Sequence, residues 1–351
     1  MVAPSPSAPR LRIADLEVKE FRSLRHVNWP GDGLGWGGQI PDIVLVGGAN
    51  GSGKTTLLEL LFGVVRFAVD AGSSDELDQN ALALLPRSAR RVRVTIHVGS
   101  TSRSIAIGSE VRPNPYLKNA WSIGNRSSHE ADPPEFMPPS RDLQDDRRRL
   151  SQPCMVPDGP KLLYFPTDRT VTFPETRFKG PGVRSSNDEP TYRYHAPGEW
   201  MQSIEASLYD ARWRDLNAKD RGHLGSARNF SAFEATMQRF FGETKRFHWD
   251  DDGVLHIQTH DGILHPLSAL SSGEKQVLLF GAELYRRWTP GSLILLDEPE
   301  LHLHEAWIVA LWGFLGDLQR ERGGQVIITT QSNYLFGLGE AGSRVILGGA
   351  P

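Results

Sequence analysis

The chain has 351 residues, of which 39% are hydrophobic and 23% charged, and a formal net charge of −3 at pH 7. A chain of this size and composition buries a sizeable core, as one large domain with an insertion or as two domains, and its near-balanced charge excludes a global attraction to nucleic acid or to an anionic membrane. The single cysteine, Cys154, excludes an intrachain disulfide framework and a cysteine-based zinc cluster, and fits a reducing compartment.

In chain order, residues 1–10 read as an unstructured leader, without the apolar stretch of a signal peptide. LRIADLEVKEF alternates as a strand. DIVLVGG is a β-branched run ending in glycines, and KTTLLELLFGVVRFAV after it reads as a helix. Strand, glycine loop and helix make the βα unit of an α/β fold. RVRVTIHV and RSIAIGSEV predict an antiparallel flap, and residues 112–160, rich in Pro, Ser and charge, predict a long irregular connection. KLLYFPTDR is a strand ending at a proline, and FKGPGVRSSNDEPTYRYHAPG reads as loop. Two helices with aromatic residues at helical spacing follow, EWMQSIEASLYDARWRDL and SAFEATMQRFFGE. VLHIQTHDGILHPL is a hairpin on an Asp-Gly turn. LSSGEKQ opens a helix with Ser271 as cap and Glu274 as its capping-box partner, although Gly273 lowers helix propensity there. SLILLDE and QVIITT are buried strands, and RVILGG is the last. Between the first two lies a helix with Trp307, Ile308, Leu311, Phe314, Leu315 and Leu318 on one face. The layout predicts a core from residues 1–110 and 250–351, with a helical and loop-rich lobe inserted at 111–249. The apolar run AWIVALWGFLG is too short to span a bilayer, so a cytoplasmic location without a membrane partner is expected.

Two segments carry chemistry. GGANGSGKTT contains G-x-x-x-x-G-K-T from Gly48 to Thr55, after a strand and before a helix, the context that a phosphate-binding loop requires. Its glycines let successive backbone N–H groups turn toward phosphate oxygens, and the helix N-terminus adds its dipole. The expected contacts are Gly48, Asn50, Gly51, Ser52, Gly53, Lys54, Thr55 and Thr56, with Lys54 reaching the β- and γ-phosphates of ATP and the Thr55 hydroxyl ligating Mg²⁺. SLILLDEPE then carries two carboxylates to the C-terminal end of an apolar strand, where open α/β sheets bind ligands. Asp297 is expected to hold Mg²⁺, directly or through water, and Glu298 to orient or deprotonate the attacking water.

The P-loop, LSSGEKQ and LILLDEPE in that order resemble the ABC-class ATPases, and within them the RecF, SMC and OLD-type ATPases of DNA repair and phage defence. LEVKEFRSLRHVNW is similar to the opening strand of that group, and DEPELHLHEAW to its extended Walker B segment. The resemblance covers both ends of the chain and is weak across residues 110–250. It implies an α/β P-loop NTPase fold of ABC type in which two copies sandwich ATP. Ser271 and the backbone at Gly273 would contact the γ-phosphate held by the other copy, with Gly273 permitting close approach. Gln331 stands where the family's switch histidine is expected; it can hydrogen-bond a γ-phosphate but cannot carry a proton as histidine does, which implies slow hydrolysis. Thr167 or Asp168 stands where transporter ATPases place a glutamine, or is an ordinary strand-end turn. His304 is a helix-start residue or a dimer contact, and Arg22 a solvated strand residue or a nucleotide contact.

Arg87, Arg90, Arg91, Arg93, Arg103, Arg112 and Lys118 lie close in sequence. They form either a strip that tracks nucleic acid or a run of solvated strand faces, the latter favoured. Trp200, Tyr209, Trp213, Phe233, Phe240 and Phe241 are expected in the core of the inserted lobe rather than on a partner-docking face. No zinc spacing, nucleophilic triad or nuclease carboxylate cluster is present in the sequence. The expected function is an ATP-hydrolysing regulator that dimerises around ATP and acts on a separately encoded effector such as a nuclease. An ABC-transporter ATPase subunit and an ATP-locked scaffold with vestigial hydrolysis are the alternatives.

Overall fold

The computed structural model of the protein describes residues 8–29, 39–71, 85–86, 88–111, 120–126, 135–136, 141–169, 189–194, 197–220, 229–340 and 343–348. Their centre is a six-stranded, all-parallel sheet in the order β15-β3-β14-β13-β8-β9. Its strands are β3 (Ile43–Gly47), β8 (Leu162–Phe165), β9 (Thr191–Arg193), β13 (Leu293–Asp297), β14 (Gln325–Thr330) and β15 (Arg344–Ile346). A parallel sheet covered on both faces demands continuous apolar strands, and LLYF, LILLD and QVIITT are buried at every position.

Period-2 alternation then divides their side chains between two cores. Val44, Val46, Leu162, Tyr164, Leu293, Leu295 and Ile327 face one core, which also holds helix α1 (Lys54–Val69). Leu45, Leu163, Phe165, Ile294, Leu296, Val326 and Ile328 face the other. The second core is closed by α4 (Asn229–Phe241), α5 (Ser272–Arg287), α6 (Glu305–Arg322) and α7 (Asn333–Leu338).

On its far side α1 meets a second sheet, ordered β2-β1-β4-β5-β6-β7. It comprises β1 (Leu11–Phe21), β2 (Leu24–Trp29), β4 (Arg91–Val98), β5 (Thr101–Gly108), β6 (Ala120–Arg126) and β7 (Glu135–Phe136). RVRVTIHV and the strand after it do pair antiparallel, but they are not a flap. β4 also pairs with β1, and Val92, Val94, Ile96 and Val98 point into the core. The irregular connection expected at 112–160 contains β6, β7 and helix α2 (Arg141–Ser151). Arg147 of α2 ties that helix to α1 by donating to the Phe67 carbonyl at 2.7 Å.

The span expected as an inserted lobe also contributes β8 and β9 to the central sheet, where the fully apolar LLYF pairs with β13. The helices of that span are α2, α3 (Pro197–Asp220) and α4, the last two beside a three-stranded antiparallel sheet of β10 (Lys245–Trp249), β11 (Leu255–Thr259) and β12 (Leu264–Pro266). Phe233, Phe240 and Phe241 are buried there, as expected. Trp213 is not, at 53% exposed, and the Trp200 side chain lies outside the described residues.

Candidate functional site

Four parallel strands end at one edge of the central sheet and deliver the predicted residues. β3 runs into the Gly48–Gly53 loop, β13 ends at Asp297, β14 leads to Gln331 and β8 to Thr167. Gly51 and Gly53 have φ of 81° and 96°, left-handed values that favour glycine. A Cβ at Gly53 would also stand 2.6 Å from Leu24 Cδ2, so the β1–β2 turn covers the loop. α1 starts at Lys54 with no side-chain cap, so its first-turn N–H groups are suited to an anion. Ser52 Oγ is buried without a partner in the same loop.

Lys54 is 5% exposed and folds back along the loop, donating to the carbonyls of Gly48 at 2.9 Å and Ala49 at 3.1 Å. Its Nζ lies 3.3 Å from Glu298 Oε1. Asp297 is fully buried, and its carboxylate accepts hydroxyl hydrogen bonds from Thr329 on β14 and from Thr167 after β8. Glu298 has φ of 44°, rare for a non-glycine residue, and its N–H donates to the Thr329 carbonyl at 3.0 Å. These residues fit a triphosphate with Mg²⁺: a glycine cradle, a lysine, and hard oxygen donors at Thr55 and Asp297. Among the described residues no cluster of three or more His, Cys, Asp or Glu offers a separate metal site. Cys154 is buried, and burial pushes its thiol up to about 12, so it is no nucleophile at neutral pH.

Gln331 lies beside the loop. It lines a cavity of about 420 Å³ with Gly48, Asn50, Thr330, Ser332 and Phe336 among others. Its backbone N–H donates to Glu300 Oε1 at 3.2 Å, and the same oxygen accepts from the Thr330 hydroxyl. Burial raises the Glu300 pKa.

Arg22 is a solvated residue of the turn between β1 and β2, its side chain 60% exposed. Its guanidinium pairs with Glu59 of α1 at 3.2 Å, and its neighbour Ser23 reaches the Thr56 hydroxyl at 3.3 Å. His304 caps α6, its Nδ1 accepting from the Ala306 N–H at 3.3 Å.

At α5 the capping box forms as expected: Ser271 Oγ accepts from the Glu274 N–H, and Glu274 Oε2 accepts from the Ser271 N–H at 2.8 Å. Gly273 is buried inside the chain rather than held open. A Cβ there would stand 2.6 Å from the His302 carbonyl oxygen, so packing against the turn after β13 already requires glycine.

Three residues the motif reading left unassigned belong to this site: Arg169, Gln276 and Glu300. Each lay inside a quoted motif, LLYFPTDR, LSSGEKQ or DEPE, but nothing local marks a buried arginine or glutamine as a bridge. Arg169 is 5% exposed and contacts both Asp297 and Glu298.

The basic strip is charge-compensated where it is described. Arg90 pairs with Glu20 and Glu110, Arg91 with Glu17, Arg93 with Asp15 and Glu17, and Arg103 with Asp146. Arg87, Arg112 and Lys118 lie outside the described residues.

A parallel sheet with a P-loop after one strand and an acidic pair ending a strand two places along defines a P-loop NTPase fold. The chain belongs to the family described as "AAA domain, putative AbiEii toxin, Type IV TA system", which matches residues 158–337. That match takes in Arg169, the LSSGEKQ helix and Asp297–Glu298 but not the P-loop. Protein ea59 of Escherichia phage lambda is 32% identical over 139 residues, 38% of this chain. The chain spans about a quarter of that relative's length, 26%. Among solved structures, an SMC head domain from Thermotoga maritima aligns over 93% of this chain and 91% of that one, at 16% identity and a TM-score of 0.42. An Smc head domain with an extended coiled coil, bound to the C-terminal domain of ScpA and derived from Pyrococcus furiosus, aligns over 93% of this chain and 92% of that one, at 16% identity and a TM-score of 0.41.

Proposed function

We propose that this protein binds and hydrolyses ATP between two copies of itself and uses that cycle to control a separate effector. The observation that carries the reading is the meeting of Lys54 and Glu298 at 3.3 Å, where the P-loop and the β13 end converge. The P-loop amides and Lys54 bind the phosphates. Mg²⁺, held by Thr55 and Asp297, would neutralise charge on the β- and γ-phosphates. Glu298 then leaves Lys54 for the attacking water and accepts its proton. Gln331 hydrogen-bonds the γ-phosphate without relaying a proton. Ser271 and the α5 N-terminus present amides to the γ-phosphate of the other copy.

The effector belongs to DNA repair or anti-phage defence. A family described by a putative toxin, and a relative encoded by a phage, support that setting. Among the described residues no helix is long and apolar enough to cross a membrane.

The test pairs two variants. Glu298→Gln is expected to abolish phosphate release while ATP-dependent dimers accumulate. Ser271→Arg is expected to abolish those dimers while each monomer still binds ATP. A Glu298→Gln protein with wild-type turnover and dimerisation would overturn the assignment. Wild-type protein that dimerises on ATP without measurable turnover would favour the locked scaffold instead.

A further inference from the structure

Glu298 carries the proposed chemistry, yet its backbone is left-handed, at φ 44°. A non-glycine residue persists there only when its surroundings hold it. Arg169 does so from beneath. Its Nη1 donates to the Asp297 carbonyl at 2.7 Å and its Nη2 to the Glu298 carbonyl at 3.0 Å. These are the carbonyls on either side of Glu298, so one guanidinium fixes both peptide planes that set its φ and ψ.

The same guanidinium reaches two other elements. Nη1 also donates to the Pro166 carbonyl at 2.8 Å, in the turn that delivers Thr167 to Asp297. Nη2 also donates to Gln276 Oε1 at 3.2 Å, and the Arg169 side chain lies over the Phe280 ring at 5.0 Å. Gln276 and Phe280 are one turn apart on one face of α5, and Gln276 is one turn beyond Gly273. Gln276 is itself 6% exposed. Burial lowers the Arg169 pKa to about 10, which leaves it a cation at neutral pH. Lysine has no planar fork with which to make four such bonds at once.

We infer that Arg169 is a positioning residue that holds Glu298 in its left-handed conformation and ties that conformation, through Gln276, to the α5 helix whose N-terminus carries Ser271 and Gly273. The inference rests on the ATPase reading only for its consequence. A shift of α5 on engaging a phosphate would move Gln276, and with it the guanidinium that sets Glu298. Hydrolysis would then answer to the state of the second copy's site.

The experiment has an arm that does not need turnover. Amide hydrogen exchange over residues 296–303 is measured in nucleotide-free wild type, Arg169→Lys, Gln276→Leu and Gln276→Glu. Arg169→Lys and Gln276→Leu are expected to speed exchange in that segment while the middle of α5 stays near wild type. Gln276→Glu, which keeps an acceptor for the guanidinium, is expected to preserve protection. The kinetic arm compares phosphate release with binding of a fluorescent ATP analogue. Gln276→Leu is expected to lower kcat on the order of tenfold to a hundredfold, the scale of a small misplacement of a catalytic group, with analogue affinity within about twofold of wild type. Unchanged exchange in Arg169→Lys, or a Gln276→Leu protein whose exchange and kcat both match wild type, overturns the inference. Faster exchange in Arg169→Lys and Gln276→Leu, beside a wild type that never hydrolyses ATP, supports the positioning role and sinks the ATPase reading instead.

Discussion

Gly273 separates two explanations of the LSSGEKQ segment, and Gly273→Ala tests them. If the glycine exists only to let a nucleotide approach from a second copy, the isolated chain should tolerate alanine. The structure says otherwise: the added Cβ would stand 2.6 Å from the His302 carbonyl oxygen and 3.6 Å from Trp307 Cζ3. Carbon–oxygen contacts settle at about 3.3 Å or more, so α5 and the turn holding His302 must separate by about 0.7 Å. Both sides of the contact are held by backbone, and such overpacking costs about 1–3 kcal/mol. Replacing glycine in a helix returns at most about 1 kcal/mol, and less in a first turn. The net loss is therefore about 0.5–2.5 kcal/mol, which corresponds to a thermal midpoint lower by about 1–3 °C. Thermal unfolding by circular dichroism without nucleotide reads this, with Ser272→Ala at an exposed neighbouring position as control. A Gly273→Ala midpoint equal to that of the control refutes the packing argument. A loss confined to ATP-dependent dimerisation would return the glycine to the nucleotide alone.

Glu283 is fully buried and bonded to Tyr194, Arg286 and Arg287. Glu283→Leu leaves two arginines without their carboxylate and should cost about 3–5 kcal/mol, measured by denaturant unfolding; a midpoint at the wild-type value would contradict it. Burial opposes ionisation of Glu283, but Arg286 and Arg287 outweigh it and hold its pKa below 4.5. Burial likewise opposes Glu274, and Lys245 outweighs it. Carboxylates with depressed folded-state pKa values stabilise above their unfolded pKa and lose that contribution as pH falls through the folded value. The contribution of these two carboxylates should accordingly be flat through neutrality and fall below pH 4.5, and an acid transition of Glu283→Leu at the same pH as wild type would contradict it. The paired state of Arg91 and Arg93 implies that replacing both by alanine changes duplex DNA affinity by less than about twofold at moderate salt. A steep loss in a filter-binding or anisotropy titration would restore the nucleic-acid strip. Lys54→Ala should abolish binding of a fluorescent ATP analogue, and retained affinity would remove the lysine from the phosphate site.

Much of the site was legible because its signals are local. Glycines that need positive φ, a lysine at a set spacing and an apolar strand ending in Asp-Glu are read within ten residues, and the structure places Gly51, Gly53, Lys54, Asp297 and Glu298 accordingly. The capping box at Ser271 and Glu274 was equally local and forms as read. The flap and the irregular connection went astray for the opposite reason. The pairing of β4 with β1, and the recruitment of β8 and β9 to the central sheet, depend on partners tens to hundreds of residues away.

By itself, the sequence determined which segments could bind phosphate, which strands were buried and where one helix had to begin, because each depends on backbone freedom and periodicity over a few residues. Tertiary structure alone decided that Arg169 lies beneath Glu298, that Gln276 joins α5 to it and that Gly273 serves the fold before any second molecule. It also decided that the arginines of β4 are neutralised by the acids of β1. A guanidinium finds its carbonyls 128 and 129 positions away, and a Cβ its obstruction at His302, only once those segments share one interior.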